Sequence, residues 1–143
     1  MRLGFLFCVI LLSFASCKVE TSGDAERFKQ GVFEIPAVNN YSKTVIVRKD
    51  SLQIEYYSKK VTISTDSSVV EKEKKEIDTL YITWKNNFAY TLQIKNPKTE
   101  LEKDPIFVQI TKVKDSSYEF TSRIGYSKHK IPGTLYISKN QSK

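Results

Sequence analysis

The most reactive side chains in this sequence are two cysteines, Cys8 and Cys17, and their placement narrows what they can do. A thiolate is a nucleophile or a metal ligand, yet a zinc site needs several Cys, His or carboxylate ligands together. The single histidine, His129, lies between Lys128 and Lys130, close to Pro132, in what reads as a surface loop. No nucleophile turn or orienting acid accompanies it, so a Ser-His-Asp arrangement is not expected. Paired carboxylates would suit glycoside hydrolysis. The acids here fall in expected loops (Asp66, Glu71, Glu73, Glu100, Glu102, Asp104) or on expected outward strand faces (Glu55, Glu119). None is predicted in an apolar pocket that would raise its pKa. There is no D-x-D-x-D-G run for calcium, and the five glycines form no phosphate-cradling loop. These residues predict no enzyme, no metal and no cofactor.

Cys17 has a different chemistry open to it. Met1-Arg2 gives a basic start, and Leu3 to Phe14 carries no charge. A short apolar run followed by small residues marks a secretory signal peptide, and it falls short of the about 20 residues a membrane-crossing helix needs. Phe14-Ala15-Ser16-Cys17 is similar to a bacterial lipobox, although Leu, Val or Ile usually stands where Phe14 is. The expectation is cleavage before Cys17 and acylation of its sulfur. The alternative is an ordinary secretory signal that leaves an odd thiol to explain. Residues 1–16 are thus the signal peptide, 17–27 the lipidated cysteine and a polar tether, and 28–143 an all-β domain. At least two acyl chains are needed for stable attachment. Lys18 stands where an aspartate would signal inner-membrane retention, which favours the outer membrane and leaves its periplasmic or surface face open.

Cleavage would leave 127 residues, enough for one core. Loss of Arg2 alone lowers the formal charge from +7 to +6. With no nucleic-acid motif and an exported address, nucleic acid is not expected as a partner. Anionic head groups or wall polymers suit such a charge better.

The chain after residue 28 alternates apolar and polar residues at period two, the pattern of half-buried strands. Strands are predicted over 31–35, 44–48, 51–57, 61–64, 77–85, 88–95, 106–113, 117–124 and 133–138. Lys49-Asp50 and Asn86-Asn87 read as hairpin turns. Residues 98–104 read as a loop or single helical turn. On the third strand Leu52, Ile54 and Tyr56 share one face, with Gln53 and Glu55 on the other. Residues 66–76 (DSSVVEKEKKE) read as an exposed loop or hairpin tip.

Eight or nine short antiparallel strands predict an all-β fold, an up-and-down meander closing into a small barrel. A two-sheet β-sandwich is the alternative. Barrels of this size hold either packed side chains or one small ligand. The inward residues Trp84, Tyr90, Tyr118 and Phe120 therefore either line a pocket or fill the core.

Five segments carry a family resemblance: Phe28 to Phe33, Arg48 to Glu55, Ile82 to Leu92, Tyr118-Glu119-Phe120 and Gly133 to Tyr136. Together they resemble a family of small uncharacterised Bacteroidota lipoproteins. Some members bear the label of a topoisomerase IV subunit, which one small exported domain does not fit. Many relatives have a cysteine at the place of Phe88 and another before Phe28; neither is present here. Gly31-Val32-Phe33 opening the first strand is also similar to lipocalin-like domains. The resemblance implies an envelope address and no reaction.

The expected function is a membrane-anchored, non-catalytic β-domain that binds a small apolar ligand, a glycan or a protein. A purely structural envelope role is the alternative, and an enzyme stands third. The anchor has a direct test by intact mass of the protein purified from host membranes. A chain starting at Cys17 with diacylglycerol and acyl mass is expected, and Cys17→Ala should lose that mass.

Overall fold

A computed structural model describes residues 23–66 and 68–139. The signal peptide and Cys17 lie outside the described residues. Within them the chain forms eight antiparallel strands in one closed up-and-down barrel. They are β1 (Gly31–Ile35), β2 (Thr44–Lys49), β3 (Leu52–Thr65), β4 (Ser68–Asn86), β5 (Ala89–Ile94), β6 (Ile106–Val113), β7 (Ser117–Ile124) and β8 (Ile131–Ile137). Closure comes from β1 against β8, with Phe33 opposite Ile137. The barrel is chosen over the sandwich, and it leaves no sheet edge in the body of the fold.

Local chemistry sets the turns. Asp50 takes a positive φ of 56° between Lys49 and Leu52, so the two-residue turn is Asp50-Ser51, one residue later than predicted. Asn86 Oδ1 accepts the Phe88 N–H at 2.8 Å, closing the β4–β5 turn. Leu101–Lys103 forms a 3-10 turn between β5 and β6, the single helical turn of the two alternatives.

One end of the barrel is closed by the N-terminal segment. Ala25 and Phe28 are almost wholly buried around a short 3-10 turn, Glu26–Phe28. Ala25 to Arg27, given to the tether by sequence, thus belong to this cap. Three hairpin turns hold it. Arg27 donates to the Lys114 carbonyl, Lys29 to Asn87 Oδ1, and Gln30 exchanges two bonds with the backbone of Asp50. Phe28 meets Tyr118 edge-on, ring centroids 4.9 Å apart at 86°. Gly31, at φ 126°, lets the chain turn from the cap into β1.

Two sequence expectations are corrected. Residues 66–76 are mostly strand, because β3 and β4 run on past the barrel as a two-stranded arm, paired from Ser58↔Lys75 to Thr65↔Ser68. From Tyr57 to Thr65 the arm extends about 27 Å at ~3.4 Å per residue. Both faces meet solvent, so no apolar alternation is needed. Lys60 facing Glu73, and Lys59 paired with Glu76 at 3.5 Å, support the pairing instead and offset Lys59 facing Lys74.

The second correction is the orientation of β3. Its inward positions are Gln53, Glu55 and Tyr57, while Leu52, Ile54 and Tyr56 face outward against Tyr81, Val47 and Val45. Glu55 therefore points inward. The cause is what lies opposite it, a buried arginine.

The cap makes one clear prediction. Phe28→Ala should lower stability by about 3–5 kcal/mol, the usual loss for a buried phenylalanine. Urea denaturation followed by circular dichroism would measure it.

Candidate functional site

Arg48 lies on β2 with only 2% of its surface exposed. Taking a guanidinium out of water costs several kcal/mol unless its donors are satisfied. Here every nitrogen is bonded and four of the five N–H groups are engaged, by neutral groups from four other segments. Nε donates to Gln53 Oε1 at 2.8 Å, and one terminal nitrogen donates to the Phe28 carbonyl at 2.8 Å. The other terminal nitrogen donates to the hydroxyls of Tyr90 at 2.8 Å and Tyr118 at 3.0 Å. Those two hydroxyls lie 2.8 Å from each other. Aromatic faces complete the enclosure, with Tyr90, Phe33 and Trp84 ring centroids 4.8, 5.3 and 5.6 Å from the guanidinium carbon. Such contacts stabilise a desolvated cation by up to about 2 kcal/mol. Burial opposes the Arg48 charge, and Tyr90 and Tyr118 offset it, so the group stays protonated. Burial likewise holds the Tyr118 hydroxyl well above the usual tyrosine range, with Tyr90 adding to the effect.

Arg48 and Gln53 form part of the floor of a cavity. It has a volume of about 510 Å³ and extends from Arg48 toward the barrel end opposite the cap. Its wall is largely apolar: Ile46, Leu92, Ile106, Val108, Phe120 and Leu135 all face it. Pro36, Val38, Ile131 and Pro132 stand at the mouth, in the β1–β2 connection and at the start of β8. Gly133 gives Phe120 its place in the wall, since a Cβ there would lie 2.4 Å from the ring.

Glu55 is the one carboxylate on this wall. Gln53 Nε2 donates to its Oε1 at 2.6 Å, extending the Arg48–Gln53 pair into a three-residue chain. Burial pushes the Glu55 carboxyl above the ordinary range; Gln53 opposes the shift, the facing Asp78 adds to it, and Arg48 opposes it. Asp78 accepts the Tyr57 hydroxyl at 2.7 Å, and burial followed by that bond raises the tyrosine's pKa. Glu76, next inward on β4 toward the arm, is ion-paired to Lys74 and Lys59.

The four aromatics singled out by sequence divide. Tyr90 and Phe120 line the cavity, whereas Trp84 and Tyr118 enclose Arg48 beneath it. Cys17 lies outside the described residues. His129 is in an exposed loop, and Glu119 is outward, paired to Lys114 at 2.6 Å. Sequence reasoning missed Arg48, Gln53 and Glu55. The turn at Asp50-Ser51 holds their one signal, because it pairs Arg48 with Gln53 and so puts both on the same face. Among the described residues, no group of three side chains able to hold a metal ion comes together. What the arrangement offers is an apolar chamber with a single carboxyl on its wall. No protein-family model matches the chain, and no curated protein matches it either.

The raised Glu55 pKa has a consequence for stability, with a definite sign. The folded state holds this proton more tightly than the unfolded chain, so stability is unaffected below the ordinary glutamate pKa. It falls as pH rises from there through the folded value. Glu55→Gln should flatten that fall, gaining on the parent as pH rises, when thermal unfolding is compared across the series.

Proposed function

We propose that this chain is a lipid-anchored envelope protein whose barrel is a non-catalytic binding module for a small apolar molecule. The observation that carries the reading is the cavity, whose volume of about 510 Å³ is that of a small-molecule site. Its lining also supports it, since an apolar wall with few polar groups is how such sites recognise ligands. The polar groups on the floor, Arg48 and Gln53, are committed to each other and to the cap, which favours holding a molecule over transforming it.

The anchor suits this geometry. The N-terminal segment joins the barrel at its closed end, and Cys17 stands six residues before Gly23. Six extended residues span at most about 20 Å. Lipid on Cys17 would hold the closed end toward the membrane and leave the mouth facing away. The resemblance to Bacteroidota lipoproteins belongs to the same reading.

A second reading, a structural role through a protein partner, has its own observation. The outer face of β2 to β4 carries Val45, Val47, Ile54, Tyr56 and Ile77 side by side, with Ile77 64% exposed. Apolar surface of this kind marks protein contacts when contiguous.

The test uses Nile red, a neutral dye that brightens in apolar surroundings. The protein is expected to bind it with enhanced, blue-shifted emission. Ile106→Trp, which fills the mouth side of the wall, should abolish the signal while leaving the melting temperature within a few degrees. A signal unchanged in that variant would place the dye on the outer face and favour the second reading.

A further inference from the structure

The buried arginine makes an anionic ligand the first thing to consider, but the hydrogen bonds argue against it. Four Arg48 donors are already taken by Gln53, the Phe28 carbonyl, Tyr90 and Tyr118. Of the five N–H groups this leaves at most one for an incoming carboxylate, too few for the two-bond grip a guanidinium gives that group. It would also come beside Glu55 and Asp78, which face each other across β3 and β4. Like charges brought together in a desolvated site oppose each other strongly.

Glu55 offers the opposite chemistry. Its Oε1 accepts from Gln53, and its Oε2 accepts from no group among the described residues. Asp78 spends one oxygen on the Tyr57 hydroxyl and Glu76 one on Lys59 and Lys74, and neither residue lines the cavity. Gln53 is used at both ends, accepting from Arg48 and donating to Glu55. A carboxylate oxygen thus remains on a largely apolar wall, one inward position above the floor on β3; the Ser122 hydroxyl, also on the wall, donates to the Ile131 carbonyl at 3.4 Å. The opposite wall, from β5 to β8, supplies Leu92, Ile106, Val108, Phe120 and Leu135 for an apolar body.

We infer that the barrel takes a head-first amphiphile whose buried polar end is a hydrogen-bond donor, a hydroxyl or an ammonium, received by Glu55 Oε2, and that it disfavours the matching carboxylate. This rests on the binding reading above and adds the class of ligand. Burial works against the ionised carboxyl, and a donor at Oε2, above all a cation, offsets that cost. A donor satisfies that oxygen whether it is neutral or charged. An anion leaves it opposed.

Displacement of Nile red from the full-length mature protein tests the inference, with isothermal titration as a direct check. Dodecanol, dodecylamine and dodecanoate share a chain and differ at one end. They are compared at pH 8, each below its micelle-forming concentration. Dodecanol and dodecylamine should each bind more tightly than dodecanoate by about tenfold or more. Glu55→Gln keeps an acceptor for Gln53 and removes the charge. In it the amine should weaken and dodecanoate should gain, bringing the three within about threefold of one another. Equal binding of all three to the parent protein would overturn this inference and leave the binding reading intact. Tighter dodecanoate would overturn it in favour of Arg48 as an anion site. If neither Nile red nor any of the three binds, the binding reading itself falls.

Discussion

The structure is organised around one buried positive charge. Arg48 reaches Gln53 on β3, Tyr90 on β5, Tyr118 on β7 and the Phe28 carbonyl of the N-terminal cap. Among the described residues no carboxylate is bonded to it. Hydrogen bonds to a charged group contribute about 1.5–3 kcal/mol each, and an unsatisfied buried cation would cost more than any of them returns. The barrel must therefore hold all four partners in place at once. That requirement fixes how β2, β3, β5 and β7 meet and where the cap crosses the end.

The same requirement explains the odd features of the interior. Gln53 faces inward because Arg48 needs an acceptor on the adjacent strand. Glu55 follows it inward because successive inward positions on a strand are two residues apart. Trp84 and Tyr118, which by sequence either line a pocket or fill the core, serve as the enclosure of the charge. The closed floor is thus polar and bonded within itself, and the space above it is largely apolar and open. A chamber with one sealed end follows from satisfying a single guanidinium.

The arm follows a different constraint. Beyond Tyr57 and Glu76 the two strands have no core to face, so their residues are chosen by each other and by water. Lysines and glutamates along the ladder keep its exposed edges charged, which discourages pairing with other chains. Val69, 70% exposed, stands near its tip.

Much of the fold was legible in the residues. Period-two alternation in β4 to β7 placed Trp84, Tyr90, Tyr118 and Phe120 inward, because there one face meets the core and the other meets water. Asp50 and Asn86-Asn87 marked turns by their tolerance of unusual backbone angles. Where both faces of a strand meet the same environment, or where the interior is itself polar, the pattern carries no such information. The charged arm therefore read as a loop or a mere hairpin tip, and β3 read inside out. Barrel or sandwich was also undecided, since local alternation is the same in both. Tertiary structure alone decided these things, by closing β1 onto β8 and bringing Arg48 within reach of residues 5, 42 and 70 positions away in the chain. A buried charge is recognisable only once its partners are assembled, and strand alternation says nothing about which distant strands will supply them.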